Sequence, residues 1–415
     1  MQPNVLMPAS AKARRRYAYA ISVSLLSVLA LYLNALPVFR ESLRAYLGID
    51  DARMGMLFGA GPLAGALAVL LAGPLLNRIG PVRMIRFSLW GQAAGMMVVA
   101  ASGSFWLGVL AGATICGLFL APFTIAANAY LTRLFPRDRR KILSLGLAMI
   151  GAGGILTPLA AEFLLHLSAS VPGISFGSVL RWPFLAIGTV LFFAGFGYGS
   201  GRGATNRSGR PDSPALWRQF LLPLPLFWLV LLLALHGATD TTIYMWMPRF
   251  LGSKSFTTHP LVPGVVLAGM SLAYLVSRSL LALLPDNFGR RAFLALPGIL
   301  GGGVVLAGIL TRSFRCAAGG YVLGAFVWST EYPAMLGAVA DRGKPHFGPA
   351  MALIQIIGGP LTAGLVLCAG KSISWLDESR IWQVMAVLAC GFLLVGAGGG
   401  IWSLLQRGAP ARTDR

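Results

Sequence analysis

The sequence predicts an all-α membrane protein, with twelve transmembrane helices in two pseudo-repeated six-helix bundles. Three observations carry that expectation. The 415 residues are 56% hydrophobic and only 11% charged, where a soluble domain carries about 25% charge. Apolar runs of about 20 residues, each long enough to cross a bilayer as a helix, recur along the whole length. Short polar motifs repeat at an offset of roughly 205 residues, about half the chain.

Mean hydropathy is +0.73, so lipid is the expected solvent. Helices follow, because a spanning backbone must satisfy its own polar groups in hydrocarbon. The expected spans are 17–38, 53–76, 83–101, 105–131, 142–165, 182–200, 222–248, 262–284, 292–311, 316–339, 348–370 and 381–405. The basic tail before the first run does not make it a signal peptide: about 22 apolar residues is too long a core, and no small-residue cleavage site follows. The 52 glycines suit close helix packing. Cys116, Cys316, Cys368 and Cys390 lie far apart without a CxxC pair, which argues against a disulfide framework or a zinc site.

The net charge of +21 reads as a topology signal. Lys and Arg number 23 in the tails and even-numbered loops and 10 in the others, with Arg278 inside a span. The positive-inside rule then places both termini in the cytoplasm, in what is expected to be a bacterial inner membrane. The basic loops favour anionic lipid. No nucleic-acid recognition module is present, and a monomer is expected.

The repeats define two halves. "NRIGPVR" (77–83) matches "DNFGRR" (286–291), "FPRDRRK" (135–141) matches "ADRGKP" (340–345), and "GAGGILTP" (151–158) matches "IIGGPLT" (356–362). The expected division is a first bundle at 1–200, a Gly-, Ser- and Arg-rich linker at 201–219 and a second bundle at 220–415. Repeated halves around a midplane site are the architecture of alternating-access transporters. The glycines of "GAGGILTP" favour a moving interface between the halves, and no phosphate loop follows them.

These residues resemble the major facilitator superfamily over nearly the whole chain. The family's loop between spans two and three matches Gly73, Asn77, Gly80 and Arg83, with Asn77 where the family has Asp. The second copy keeps the acid, as Asp286 with Gly289, Arg290 and Arg291. The resemblance implies a gating latch at Asn77, Arg83, Asp286, Arg290 and Arg291, weakened in the first half by the missing acid. Within the superfamily, "TIAANAYLTRLFPRDRRKILSLG" (124–146), "HGATDTTIYMWMPRFL" (236–251) and "EYPAMLGAVAD" (331–341) look most like the fucose-permease type of sugar–proton symporter. That group's span-four coupling acid falls on Thr124, and span one carries no acid. Proton coupling, if present, uses other sites.

The acids inside the spans are the candidates. An intramembrane carboxylate is costly unless paired, protonated or facing water. His236, Asp240 and Tyr244 are spaced to share one helical face of span seven. Asp240, His236 and Glu331 are the candidate proton-coupling residues. By helical rise Glu331 and Arg278 match in depth, which predicts an Arg278–Glu331 pair; such a pair either gates the cavity, binds an anionic substrate or simply braces the fold. Asp240 is placed nearer the outer side. Candidate substrate contacts are Tyr244, Trp246, Trp328, Asn128, Arg278, Asn34 and Gln355, polar or aromatic groups of the kind a sugar requires. No HExxH, GxSxG or metal-ligand set suggests an enzyme, and no cofactor is called for. The expected function is secondary active transport of a small polar solute, a sugar or related compound, with a proton as co-substrate; the alternative is a drug or metabolite exporter of the same fold.

Overall fold

The computed structural model describes residues 18–26, 36–135, 139–198, 222–253, 263–284, 292–342 and 347–405. Among these residues there is no strand. A helical segment at 18–26 (α1) and the short helix Arg40–Leu47 (α2) precede a series of long helices. These are α3 Asp51–Ile79, α4 Pro81–Ala101, α5 Trp106–Leu134, α6 Arg139–Ser170, α7 Phe176–Gly197, α8 Leu224–Leu251, α9 Pro263–Leu283, α13 Phe347–Trp375 and α14 Ile381–Leu405. Among the described residues nine helices are long and apolar enough to cross a membrane. They carry expected spans two to eight, eleven and twelve.

Three expected spans take other forms. The described part of span one is the segment 18–26. Span nine is a 3-10 turn at Ala292–Leu294 followed by the shorter α10, Leu296–Leu310. Span ten, expected as one helix over 316–339, is broken into α11, Phe314–Trp328, and α12, Glu331–Arg342. Pro333 explains the break. It has no N–H to donate to the carbonyl four residues back, that of Ser329. Arg278 Nε donates to that carbonyl instead, at 3.4 Å. The helical ladder resumes with Ala334 N–H to Thr330 O at 3.3 Å.

Helices from before and after residues 201–221 meet along two seams, α3 against α13 and α6 against α9. Both seams are lined by glycine. At Gly359 a Cβ would stand 2.4 Å from Pro62 O and 2.5 Å from Ala66 Cβ. Backbone cannot give way as a side chain can, so Gly359→Ala is expected to separate α3 from α13 and lower the melting temperature. Gly364, on the same helix, has nothing within 4 Å of a built Cβ. Gly364→Ala should therefore cost nothing, or gain up to about 1 kcal/mol of helix propensity. Thermal melts of the two variants side by side check this. On the other seam, a Cβ at Gly154 would lie 2.5 Å from Ser271 Oγ of α9. The expected glycine interface thus packs against span eight.

Candidate functional site

Four ionisable groups lie deep in the second half of the chain: His236 and Asp240 on α8, Arg278 on α9 and Glu331 at the start of α12. They form two separate constellations one helical turn apart.

Asp240 centres the first. Its Oδ1 accepts from Tyr274 Oη at 2.5 Å and from Trp328 Nε1 at 3.2 Å. Asp240 is half-buried, whereas Trp328 is fully buried and stacked on Phe392 with centroids 4.2 Å apart. The Arg278 guanidinium lies over the Tyr274 ring at 4.8 Å, beside the carboxylate that Tyr274 holds. Arg278 also reaches across the seam, its Nη1 donating to Leu147 O of α6 at 3.3 Å. Ser277 and Ser329 hydroxyls hydrogen-bond beside it. The Tyr244 ring lies one turn along α8, its hydroxyl near Ser271 and Gly154.

His236 and Glu331 form the second. His236 Nδ1 meets Glu331 Oε2 at 2.9 Å, and both residues are buried, at 1% and 0% exposed. The His236 ring packs edge-on against Phe392 at 5.3 Å, and a Cβ on Gly298 of α10 would come within 2.6 Å of Glu331 Oε1. The pair is therefore enclosed by α8, α10, α12 and α14. Glu331 also stands at the N-terminus of α12, where the helix dipole favours a negative charge.

The expected Arg278–Glu331 pair is thus corrected: Glu331 pairs with His236, and Arg278 lies over Tyr274, the hydrogen-bond partner of Asp240. Helical rise gave depth but not azimuth. Arg278 and Glu331 can share a level, yet Glu331 turns towards α10 and α14 while Arg278 turns towards α6 and α8. The separation of His236 from Asp240 follows from antiparallel register. Going up α8 from 236 to 240 means going back along span ten from 331 to 328, so His236 meets Glu331 and Asp240 meets Trp328.

Other expected site residues disperse. Trp246 is fully buried at the α3–α13 seam: its Nε1 donates to Val366 O at 3.2 Å, and its ring packs against Phe58. That makes it a packing residue away from Asp240. Asn128 on α5 and Gln355 on α13 are half-buried. Arg83 is exposed in the first turn of α4, after Gly80 at φ 79°. Asn34, Asp286, Arg290 and Arg291 lie outside the described residues, and so does the side chain of Asn77.

Sequence reasoning missed a charge cluster at the end of the bundle that carries α2. Arg40 pairs with Glu41 and Asp51. Arg249, at the end of α8, stands 3.8 Å from Glu41, 3.8 Å from Asp51 and 3.1 Å from Glu378. Arg40 is 1% exposed, and burial lowers its guanidinium to about 10, so it keeps its charge at neutral pH. Nearby on the other seam, Glu162 Oε1 of α6 accepts from Gly264 N–H of α9 at 3.0 Å. Glu162 thereby caps the start of α9. Ion pairs and this cap tie first-half to second-half helices at one face. Arg249→Gln is expected to loosen that face. With Cys316 and Cys368 replaced by Ser, spin labels at Ser104 and Thr311 should then populate a longer distance than in the parent; an unchanged distribution would show that Arg249 holds nothing closed.

Helices tied at one face, with a charged site between the seams, define a multi-pass integral membrane protein of transporter fold. The chain belongs to the Major Facilitator Superfamily, whose pattern matches residues 19–361. No curated protein matches it. Among solved structures it is similar to the E. coli fucose:proton symporter, FucP, at TM-score 0.70 and 16% identity, covering 94% of this chain and 98% of that one. It is also similar to a bacterial homologue of the human lysosomal transporter Spinster in the inward-facing, unoccupied conformation. There the TM-score is 0.64 at 16% identity, with 97% and 100% of the two chains covered.

Proposed function

We propose that the protein is a proton-coupled secondary transporter of a small polar solute, with Asp240 as the proton carrier. One observation carries this reading: Asp240 is a half-buried carboxylate, held by Tyr274 and Trp328, beside an arginine that touches both halves. A carboxylate in that setting is costly to leave charged in hydrocarbon and can be discharged by a proton. Protonation removes its attraction for Arg278, and that change is felt at the seam through the Leu147 contact. The two six-helix halves, joined by the 201–219 linker, then rock about this level. The face carrying α2 is the extracytoplasmic one, with both termini in the cytoplasm. The similarity to a fucose:proton symporter supports the choice of a proton and a sugar-like solute.

The His236–Glu331 pair has a different part in this reading. Its enclosure away from the seams suits a brace that holds the two pieces of span ten against α8.

Proteoliposomes with an imposed pH gradient test the function. Uptake of a small polar solute should follow an inward proton gradient and stop when the gradient is dissipated. Uptake indifferent to the gradient for every solute carried would rule out proton coupling.

A further inference from the structure

We propose that the solute is a monoanion bearing a carboxylate, that Arg278 is its anchor, and that Asp240 is the internal anion it replaces. The proposal rests on the carrier reading above and names the substrate class of the same site.

Arg278 is the one Lys or Arg placed more than three residues inside an expected span. Its surroundings are built rather than incidental. The guanidinium is stacked on Tyr274, donates to the Ser329 carbonyl left open by Pro333, and donates to Leu147 across the seam. Its own helix, the break between α11 and α12, and α6 of the first half therefore fix its plane. A rigid, planar fork of donors is suited to a carboxylate, more so than an ammonium would be.

The charge balance supplies the class. With Asp240 ionised, Asp240 and Arg278 sum to zero. With Asp240 protonated, one positive charge remains in a low-dielectric site, where an uncompensated charge is expensive. A neutral sugar does not cancel that charge. A monoanion does, and a dianion overshoots it. Proton and monoanion thus enter together with no net charge gained by the site. The trade is local: protonated Asp240 keeps its Tyr274 and Trp328 hydrogen bonds, and the solute takes its place opposite Arg278. Among the described residues, the other titratable groups near Asp240 are Tyr274 and Tyr244, with Tyr332, His236 and Glu331 a turn away. His236 and Glu331 answer each other and leave this balance unchanged.

The test is a thermal-shift titration of the full chain in nanodiscs with matched pairs: gluconate and glucose, lactate and lactamide, benzoate and benzamide. A ligand that binds the folded state raises the melting temperature by mass action. At least one carboxylate should stabilise at pH 5.5 where its neutral partner does not, and its apparent Kd should weaken about tenfold per pH unit on raising the pH, as linkage to one proton requires. Asp240→Asn should bind the same carboxylate with no pH dependence. Arg278→Gln should weaken it at least about 30-fold. Arg278→Lys, which keeps the charge and guards against misfolding, should retain partial affinity. The proposal is overturned if neutral members stabilise as well as their carboxylates, if no carboxylate stabilises, or if Arg278→Gln binds like the parent. A neutral solute accumulated by a pH gradient would sink the anion assignment and leave the carrier standing. A carboxylate that binds but never crosses a vesicle membrane would do the reverse.

Discussion

Asp240→Asn is expected to abolish accumulation while sparing exchange. In proteoliposomes with an inward gradient of one pH unit, a one-proton carrier can concentrate a neutral solute, or an anion entering with its proton, about tenfold, since one pH unit corresponds to about 1.4 kcal/mol. The variant carries a permanently neutral side chain that mimics the protonated state. It can still accept from Tyr274 and Trp328 through its amide oxygen. Its accumulation ratio should therefore fall to about one, while counterflow between equal solute pools continues. Loss of both activities would mark Asp240 as a folding or binding residue. Retention of accumulation would move the coupling elsewhere, with His236 and Glu331 the next groups to test.

Glu331→Ala is expected to carry the largest stability loss. The carboxylate is 0% exposed and bonded to a histidine that is 1% exposed. Removing one partner leaves a buried polar group unanswered, at a cost of about 3–5 kcal/mol for a charged pair. Glu331→Gln should lose much less, because an amide can still hydrogen-bond the imidazole. It should also keep gradient-driven accumulation, as a brace requires. The double variant His236→Leu with Glu331→Met should recover much of the loss, since an apolar replacement removes both demands at once. Melting temperatures in one detergent, with accumulation measured for the Gln variant, decide it. If Glu331→Gln folds normally yet no longer accumulates, the pair is part of the proton path and not a brace.

Composition and repetition made the fold legible, because a lipid solvent forces long helices and the charges of the loops mark their ends. The broken tenth span was also written in the sequence, in Pro333 four residues after Ser329, but apolar continuity hid it. The acids inside the spans were visible in the sequence, because charge in hydrocarbon needs an explanation. Their partners were not, because spacing along one helix fixes height and leaves direction open. Asp240 and His236 share a face of α8, yet that face is wide enough for Asp240 to meet Trp328 and for His236 to meet Glu331. Tyr274, the closest partner of Asp240, gave no signal: a tyrosine in an apolar span is ordinary until a carboxylate faces it. The cluster at the α2 face joins residues as distant as Glu41, Asp51, Arg249 and Glu378. Each of those sits at the end of a span, where a charge is unremarkable, and only the tertiary fold shows that four span ends converge.

The most direct test of Asp240 as proton carrier is to watch the proton. Proteoliposomes are loaded with a pH-sensitive dye and kept without an imposed gradient. The solute found in the paired panel is then added outside. The parent protein should acidify the lumen as solute enters, and Asp240→Asn should admit solute with no acidification. Acidification undiminished in Asp240→Asn, or solute entry in the parent with no proton movement, would contradict the assignment.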